Sequence, residues 1–299
     1  MKGRFLRFDP LNSFAFIAGS LCLLLGGFAA SAQTTTKAGS MRVSRTVKTA
    51  PSDDLRIIRF TSAALKNKDQ LSKLAWSFGG KLQNGWSIYV PLISRSMGTA
   101  ALPDSADFAS ALADWQTKQG LNALGIVDAE TMSKFVSVWQ AQRQFRYLLP
   151  DADRLISAPI DEFFDQTRSP ELLKLDSETY SAYKKMIAAA ERDLGPQFQA
   201  GSGGKYLSII SAYRSPEYQA ALRRKAPNSS RSALAKFSAH STGRALDIYV
   251  GGDPVSTKDA NRQLQVETPA YKWLVKNASR FGFYPYFYEP WHWEYVPEK

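Results

Sequence analysis

The sequence predicts an α+β protein, with helices and short strands in its second half and a small, mainly helical module before them. From Tyr180 to Leu194, apolar residues recur every three or four positions, which is the pattern of an amphipathic helix. Brief apolar or alternating segments at 206–210 and 291–295 have instead the length and pattern of strands. The two patterns together predict a mixed fold.

The first 32 residues have the features of a secretory signal peptide. A basic start precedes an apolar run from about Phe14 to Ala30, and small residues at 30–32 suit cleavage after Ala32. Cleavage would give an exported protein without a membrane span. The alternative is an anchor that stays uncleaved, although the apolar run is short and is interrupted by Gly26 and Gly27.

Cysteine content and charge narrow the possible functions. The only cysteine, Cys22, lies inside the apolar run, so the mature chain has none. This excludes disulfides, thiol catalysis and zinc held by cysteine. The net charge of +11 suggests anionic partners, which outside the cytoplasm are envelope polymers and lipid head groups rather than nucleic acid. The alternative is that the charge serves solubility alone.

Residues 33–54 are rich in Thr, Ser, Lys and Arg and predict a disordered linker. Residues 55–149 predict the small, mainly helical module. Its elements, in order, are an amphipathic helix that includes Leu65 to Trp76, a strand over 86–90 ended by Pro91, and a helix that begins at Asp104 or Ser105.

A polar segment with three prolines, residues 150–170, predicts a connector and a domain boundary. Residues 171–299 then form the second predicted domain. Ser215 and Thr268, each followed by proline, predict two further helix starts. Residues 226–237 predict a flexible loop, and 283–295 a final pair of aromatic strands.

Both histidines of the chain, His240 and His292, lie in its last quarter. Asp247 follows His240 closely and begins an apolar segment, where a charge is costly unless it is paired or bound to a metal. Two imidazoles and one carboxylate suit zinc and leave one coordination position open. The three residues therefore predict a zinc site. Two ordinary histidines and a structural aspartate are the alternative.

A further carboxylate near such a site can act as general base, and two glutamates flank His292. Glu294 lies two residues after His292, so on a strand both side chains point to the same face. That position is typical of a group that orients an imidazole. Glu289, three residues before His292, is therefore the predicted base.

These residues belong to motifs that resemble those of a known family. The motifs are S-x-H-x-x-G-x-A-x-D at 238–247, E-x-W-H at 289–292 and Ser-Ala-Tyr-Arg-Ser at 211–215. In content and order they resemble the zinc D-alanyl-D-alanine carboxypeptidases of the VanY type. This family belongs to a group of peptidoglycan peptidases that shares its fold with the Hedgehog signalling domain. The resemblance covers about residues 165–296 and implies a small antiparallel sheet flanked by helices.

The resemblance also implies a role for individual residues. One Zn²⁺ would be held by His240, Asp247 and His292. Glu289 would be the general base and acid, and Arg214 would stabilise the scissile carbonyl. The candidates for substrate binding are Ser238, Tyr213 and Gln219.

Part of the module, from Gly120 to Gln140, resembles a small helical peptidoglycan-binding repeat. The shared features are a glycine-containing acidic turn and a helix that begins near Thr131. The sequence departs from the repeat where Asp128 is followed by Ala129, since the repeat has glycine there. A helical hairpin with a tryptophan-rich core is the alternative.

The predicted function is zinc-dependent hydrolysis of peptidoglycan stem peptides, with release of the terminal D-alanine. A peptidoglycan endopeptidase is the first alternative, because relatives with the same metal motif cut internal bonds. The second is a non-catalytic module that contains zinc and binds the cell wall. Such a module would not need Glu289 or Arg214.

Overall fold

The computed structural model describes residues 51–143, 149–195, 206–228 and 238–297. The predicted signal peptide, residues 33–50 of the predicted linker and most of the predicted loop at 226–237 lie outside these ranges. The described residues belong to one compact unit.

The first part of the chain is mainly helical, as predicted. Its elements are α1 (Pro51–Lys73), β1 (Ala75–Phe78), β2 (Lys81–Asn84), α2 (Val90–Met97), α3 (Ala106–Lys118) and α4 (Ala129–Ala141). Ser105 begins α3 as predicted, since its side-chain oxygen accepts a hydrogen bond from the backbone N–H of Phe108. Helix α1 starts at Pro51 and so includes the last residues of the segment predicted to be a disordered linker.

Two predictions for this part were wrong. The predicted strand at 86–90 is a single 3₁₀ turn followed by α2, and Pro91 lies in the first turn of that helix. Proline is compatible with this position because the first helical N–H groups have no partner in the helix. Trp76 lies in the β1–β2 hairpin instead of a helix. Gly79 and Gly80 form its turn, both with positive φ, which matches the twist of a two-residue hairpin.

The second part contains the predicted small antiparallel sheet and its helices. Its elements are β3 (Leu155–Ser157), β4 (Lys174–Asp176), α5 (Ser177–Leu194), β5 (Ile209–Ser211), α6 (Pro216–Lys225), β6 (Ala245–Ile248), α7 (Asp259–Glu267), α8 (Pro269–Asn277), β7 (Phe283–Pro285) and β8 (His292–Tyr295). The four-stranded sheet has the order β5-β6-β8-β7 and is antiparallel throughout. Ser215 and Thr268 cap α6 and α8 as predicted, and α7 was not predicted.

The segment predicted as a polar connector is packed against the sheet. Its strand β3 pairs with β4, and Phe163 is buried beside Ile209 of β5. The aromatic core of the helical module also includes Tyr286, Phe287 and Tyr288, which lie between β7 and β8. The loop that leads into β8 therefore rests on the module. Within the described residues, no helix has an apolar stretch of the length that a bilayer span requires.

Candidate metal centre and active-site cleft

Two adjacent strands and a short turn bring the predicted metal ligands together. Asp247 on β6 lies directly opposite His292 on β8 in the sheet register. His240 lies in a 3₁₀ turn just before β6, and the Ser238 side chain caps that turn. Gly243 ends the turn with a φ of 71°, and a Cβ there would come within 3.0 Å of the Asp176 backbone nitrogen. Glycine is therefore required where the chain enters β6.

The ligand atoms have the mutual spacing that zinc needs. Nε2 of His240 and Nδ1 of His292 lie 3.2 Å and 2.9 Å from Oδ1 of Asp247, and 3.2 Å from each other. Tetrahedral zinc with bonds of about 2.0–2.2 Å places its ligand atoms about 3.3 Å apart. All three side chains are buried. The donor set therefore fits a zinc ion with one position left open.

Each imidazole is oriented through its other nitrogen. Nδ1 of His240 donates to the backbone oxygen of Ala212 at 2.6 Å. Nε2 of His292 donates to Oε1 of Glu294 at 3.2 Å, as the strand pattern predicted. These hydrogen bonds leave the nitrogen that faces Asp247 available to a metal in both rings.

Burial and mutual contacts shift the pKa values of all three predicted ligands. Burial lowers the pKa of His240 to about 4, and Arg214 acts in the same direction. Burial opposes the charged form of His292, but hydrogen bonds to Asp247 and Glu294 raise its pKa to about 9. Burial would raise the pKa of Asp247, but the two imidazoles and Arg214 hold it well below its usual range. A metal would therefore meet an ionised Asp247 and a neutral His240, and would displace a proton from His292.

Glu289 reaches the same site from the turn before β8. Its backbone oxygen accepts a hydrogen bond from the His292 N–H at 2.9 Å, which fixes the turn next to this predicted ligand. Burial raises the pKa of the Glu289 carboxyl to about 7. Within the described residues this carboxylate makes no ion pair. A carboxylate of this pKa can both accept and return a proton near neutral pH.

Arg214 is anchored on Asp247, one of the predicted metal ligands. Its Nη2 donates to Oδ2 of Asp247 at 2.7 Å, and its Nε donates to the hydroxyl of Ser211 at 3.1 Å. Gln219 lies near its Nη1 at 3.5 Å. Arg214 thus fixes the second oxygen of Asp247 while it lines the cleft.

The ligands open onto a cleft of about 460 Å³. Two of the three predicted substrate-binding residues, Ser238 and Gln219, line it. Tyr213 does not: it is partly buried, and its backbone N–H donates to Lys174 outside the cleft. A substrate contact for Tyr213 therefore stays a prediction.

Two arginines in the cleft were missed by the sequence interpretation. Arg143 follows α4 in the helical module and pairs with Glu294. Arg168 lies in the predicted connector, is partly buried and has an Nε without a hydrogen-bond partner. Neither belongs to a motif, and both lie far along the chain from the histidines, so no local sequence pattern marks them.

Two comparisons with known proteins found a match. Residues 172–298 match the VanY family, described as D-alanyl-D-alanine carboxypeptidase. Among solved structures, the chain is similar to one described as the LdcB LD-carboxypeptidase, reported to reveal the molecular basis of peptidoglycan recognition. The identity is 26%, the match covers 51% of this chain and 71% of the other, and the TM-score is 0.37. No curated protein sequence matches the chain.

Proposed function

We propose, from the match of residues 172–298 to the VanY family of D-alanyl-D-alanine carboxypeptidases, that the protein is a zinc peptidase that removes the terminal D-alanine from peptidoglycan stem peptides. The observation that carries the proposal is the buried set of His240, Asp247 and His292, with the carboxyl of Glu289 raised to a pKa of about 7 beside it. A structural zinc site has four protein ligands, whereas this set offers three and opens onto a cleft.

In the proposed reaction, bound zinc would act as a Lewis acid and lower the pKa of a water from 15.7 to about 7. Glu289 takes a proton from the water as its oxygen bonds to the scissile carbonyl carbon. It then delivers that proton to the amide nitrogen as the carbon–nitrogen bond breaks, which releases D-alanine and a shortened stem peptide. Such proton transfer contributes roughly 10²–10⁴-fold to the rate.

Arg214 is the proposed electrophilic group. Its guanidinium is fixed by Asp247 and Ser211 at the edge of the cleft, so it needs little reorganisation to meet developing charge. We propose that it donates to the carbonyl oxygen as that oxygen becomes negative. Ser238 and Gln219 line the same cleft and remain the proposed contacts to the peptide.

Arg168 favours a carboxypeptidase over an endopeptidase. The other two arginines in the cleft are paired, Arg143 with Glu294 and Arg214 with Asp247. Arg168 forms none of the ion pairs within the described residues, and burial lowers its pKa, as expected for a cation without full compensation. A planar guanidinium suits a carboxylate, and the chain end of the stem peptide supplies one. We therefore assign Arg168 to the substrate's terminal carboxylate.

The experiment compares release of D-alanine from a muramyl pentapeptide with release of D-alaninamide from the same peptide amidated at its C-terminus. Loss of a hydrogen bond to a charged group costs about 1.5–3 kcal/mol. Arg168→Ala should therefore raise KM for the free acid by roughly 10- to 100-fold, leave kcat nearly unchanged and abolish the preference over the amide. Arg280→Ala removes an exposed arginine outside the cleft and should match the wild type.

Other results would redirect the assignment. No D-alanine from the pentapeptide, together with cleavage of cross-links in intact sacculi, would identify an endopeptidase. If both substrates stayed intact while zinc was bound, the protein would be a non-catalytic wall-binding module.

An exported location follows from the proposed substrate, because peptidoglycan lies outside the cytoplasm. We propose that the protein acts in the periplasm or at the cell wall, where its net charge of +11 suits an anionic envelope. That residues 55–149 bind peptidoglycan stays a prediction. Co-sedimentation of the full protein with sacculi, with substitutions on the exposed face of α4, would test it.

A further inference from the structure

The helical module places one side chain in the cleft. Arg143 lies just after the C-cap residue of α4, and its guanidinium stacks 4.0 Å above the ring of Tyr286. Its Nη1 donates to Gln140 at 3.1 Å, which ties the arginine to the end of the helix. The remaining nitrogens, Nε at 3.0 Å and Nη2, both donate to Oε1 of Glu294. The arginine is thus held on three sides.

Glu294 connects this arginine to the metal ligands. The oxygen that Arg143 contacts is also the one that accepts the hydrogen bond from Nε2 of His292. The side chains of Arg143 and Glu294 are only 10% and 4% exposed. A carboxylate buried to this extent is costly without a cation, and Arg143 is a permanently charged cation that pairs with it. Its other oxygen, Oε2, has no partner within the described residues.

We infer that Arg143 is a positioning residue of the metal site, and that the helical module is therefore part of the catalytic unit. Its guanidinium holds Glu294 where Oε1 meets Nε2 of His292. The ring of His292 then presents Nδ1 towards Asp247 and His240. This inference rests on the proposed metal site and adds to it a requirement for residues outside the family match at 172–298.

A second arginine of the module forms a hydrogen bond to the second domain and provides a matched control. Arg95 of α2 donates from Nη2 to the hydroxyl of Ser279 at 2.8 Å, in an exposed contact outside the cleft. If arginines at this boundary only join the two parts, Arg95→Ala and Arg143→Ala should have similar effects. If Arg143 acts on the metal site, only its removal should change metal binding.

The experiment measures zinc affinity by competition with a chromogenic chelator, and the visible absorption spectrum of the cobalt-loaded protein. The full-length wild type is compared with Arg143→Ala, Arg143→Lys and Arg95→Ala, and the melting temperature of each metal-free protein is recorded. Removing a partner that orients a metal ligand lowers affinity by about 10- to 100-fold. We expect that loss in Arg143→Ala, partial rescue in Arg143→Lys and no change in Arg95→Ala.

A double variant separates positioning from general destabilisation. If Arg143 acts through Glu294, Arg143→Ala combined with Glu294→Gln should bind zinc no more weakly than Glu294→Gln alone, because the two changes break one chain of contacts. Additive losses, or an unchanged cobalt spectrum and zinc affinity in Arg143→Ala, would overturn the inference while leaving the metal site intact. If the wild type bound no zinc, the metal site itself would fail, and the inference with it.

Discussion

The two halves of the proposed metal site are built in different ways. His240 lies in a turn next to the strand that carries Asp247, and a backbone oxygen, that of Ala212, orients its ring. A side chain, Glu294, orients the ring of His292, and Glu294 pairs with Arg143, which is 151 residues away in the sequence. An imidazole held by the backbone depends on local structure. One held by a buried carboxylate depends on a distant part of the chain.

Asp247 contacts both halves of the site, and its substitution should have the largest effect on zinc binding and activity. One of its oxygens contacts both imidazoles, and the other accepts a hydrogen bond from Arg214. Asp247→Asn keeps the shape but removes the charge that both halves share. We expect no stoichiometric zinc by mass spectrometry and no D-alanine release above background. A variant with one zinc per chain would show that the two histidines bind the metal by themselves.

Substitutions next to either histidine should lower zinc affinity less than Asp247→Asn does. The loss should be larger on the His292 side than on the His240 side. Glu294→Gln should weaken zinc binding by about 10- to 100-fold, because the amide is a poorer acceptor for Nε2 of His292 and leaves Arg143 unpaired. For the metal site itself, Ser238→Ala removes the side-chain cap of the His240 turn. It should lower the free energy of unfolding by about 1 kcal/mol and leave zinc affinity nearly unchanged. The reverse order in a chelator competition would contradict the difference between the halves.

The smallest expected effect is the dependence of the reaction rate on pH, which reports the ionisation of Glu289. Burial raises the pKa of Glu289 to about 7, and the carboxylate must be ionised to accept a proton. Activity therefore rises with pH and levels off above the pKa. A bound cation favours the ionised form, so the acid limb of kcat/KM should lie at or below pH 7. Rates are measured with the zinc content at each pH, and a limb clearly above 7 would exclude Glu289 as the base.

The features with local signals were predictable from the sequence. The histidines and aspartate lie in short motifs, and the caps at Ser215 and Thr268 consist of one residue before a proline. The fold class followed from the helix and strand patterns. Pro91 was misread because a proline that ends a strand and one that begins a helix look alike until the flanking structure is known.

Other features could not be predicted because they depend on contacts between distant segments. Arg143 follows a helix as many solvated cations do, and only the packing of Tyr286 to Tyr288 on the module brings it to Glu294. Arg168 lies in a segment whose polar, proline-containing sequence is typical of a linker. Phe163 in the same segment nevertheless packs against the sheet. Tyr213 shares a motif with Arg214, yet only Arg214 lines the cleft.

Zinc content and D-alanine release, measured on the same samples of wild type and Glu289→Gln, test the central claim most directly. We expect one zinc per chain in both proteins. We also expect chelator-sensitive release by the wild type, and release lower by about 10²-fold or more in Glu289→Gln. The claim would be contradicted if Glu289→Gln kept the wild-type rate, or if the wild type kept its full rate after its zinc had been removed.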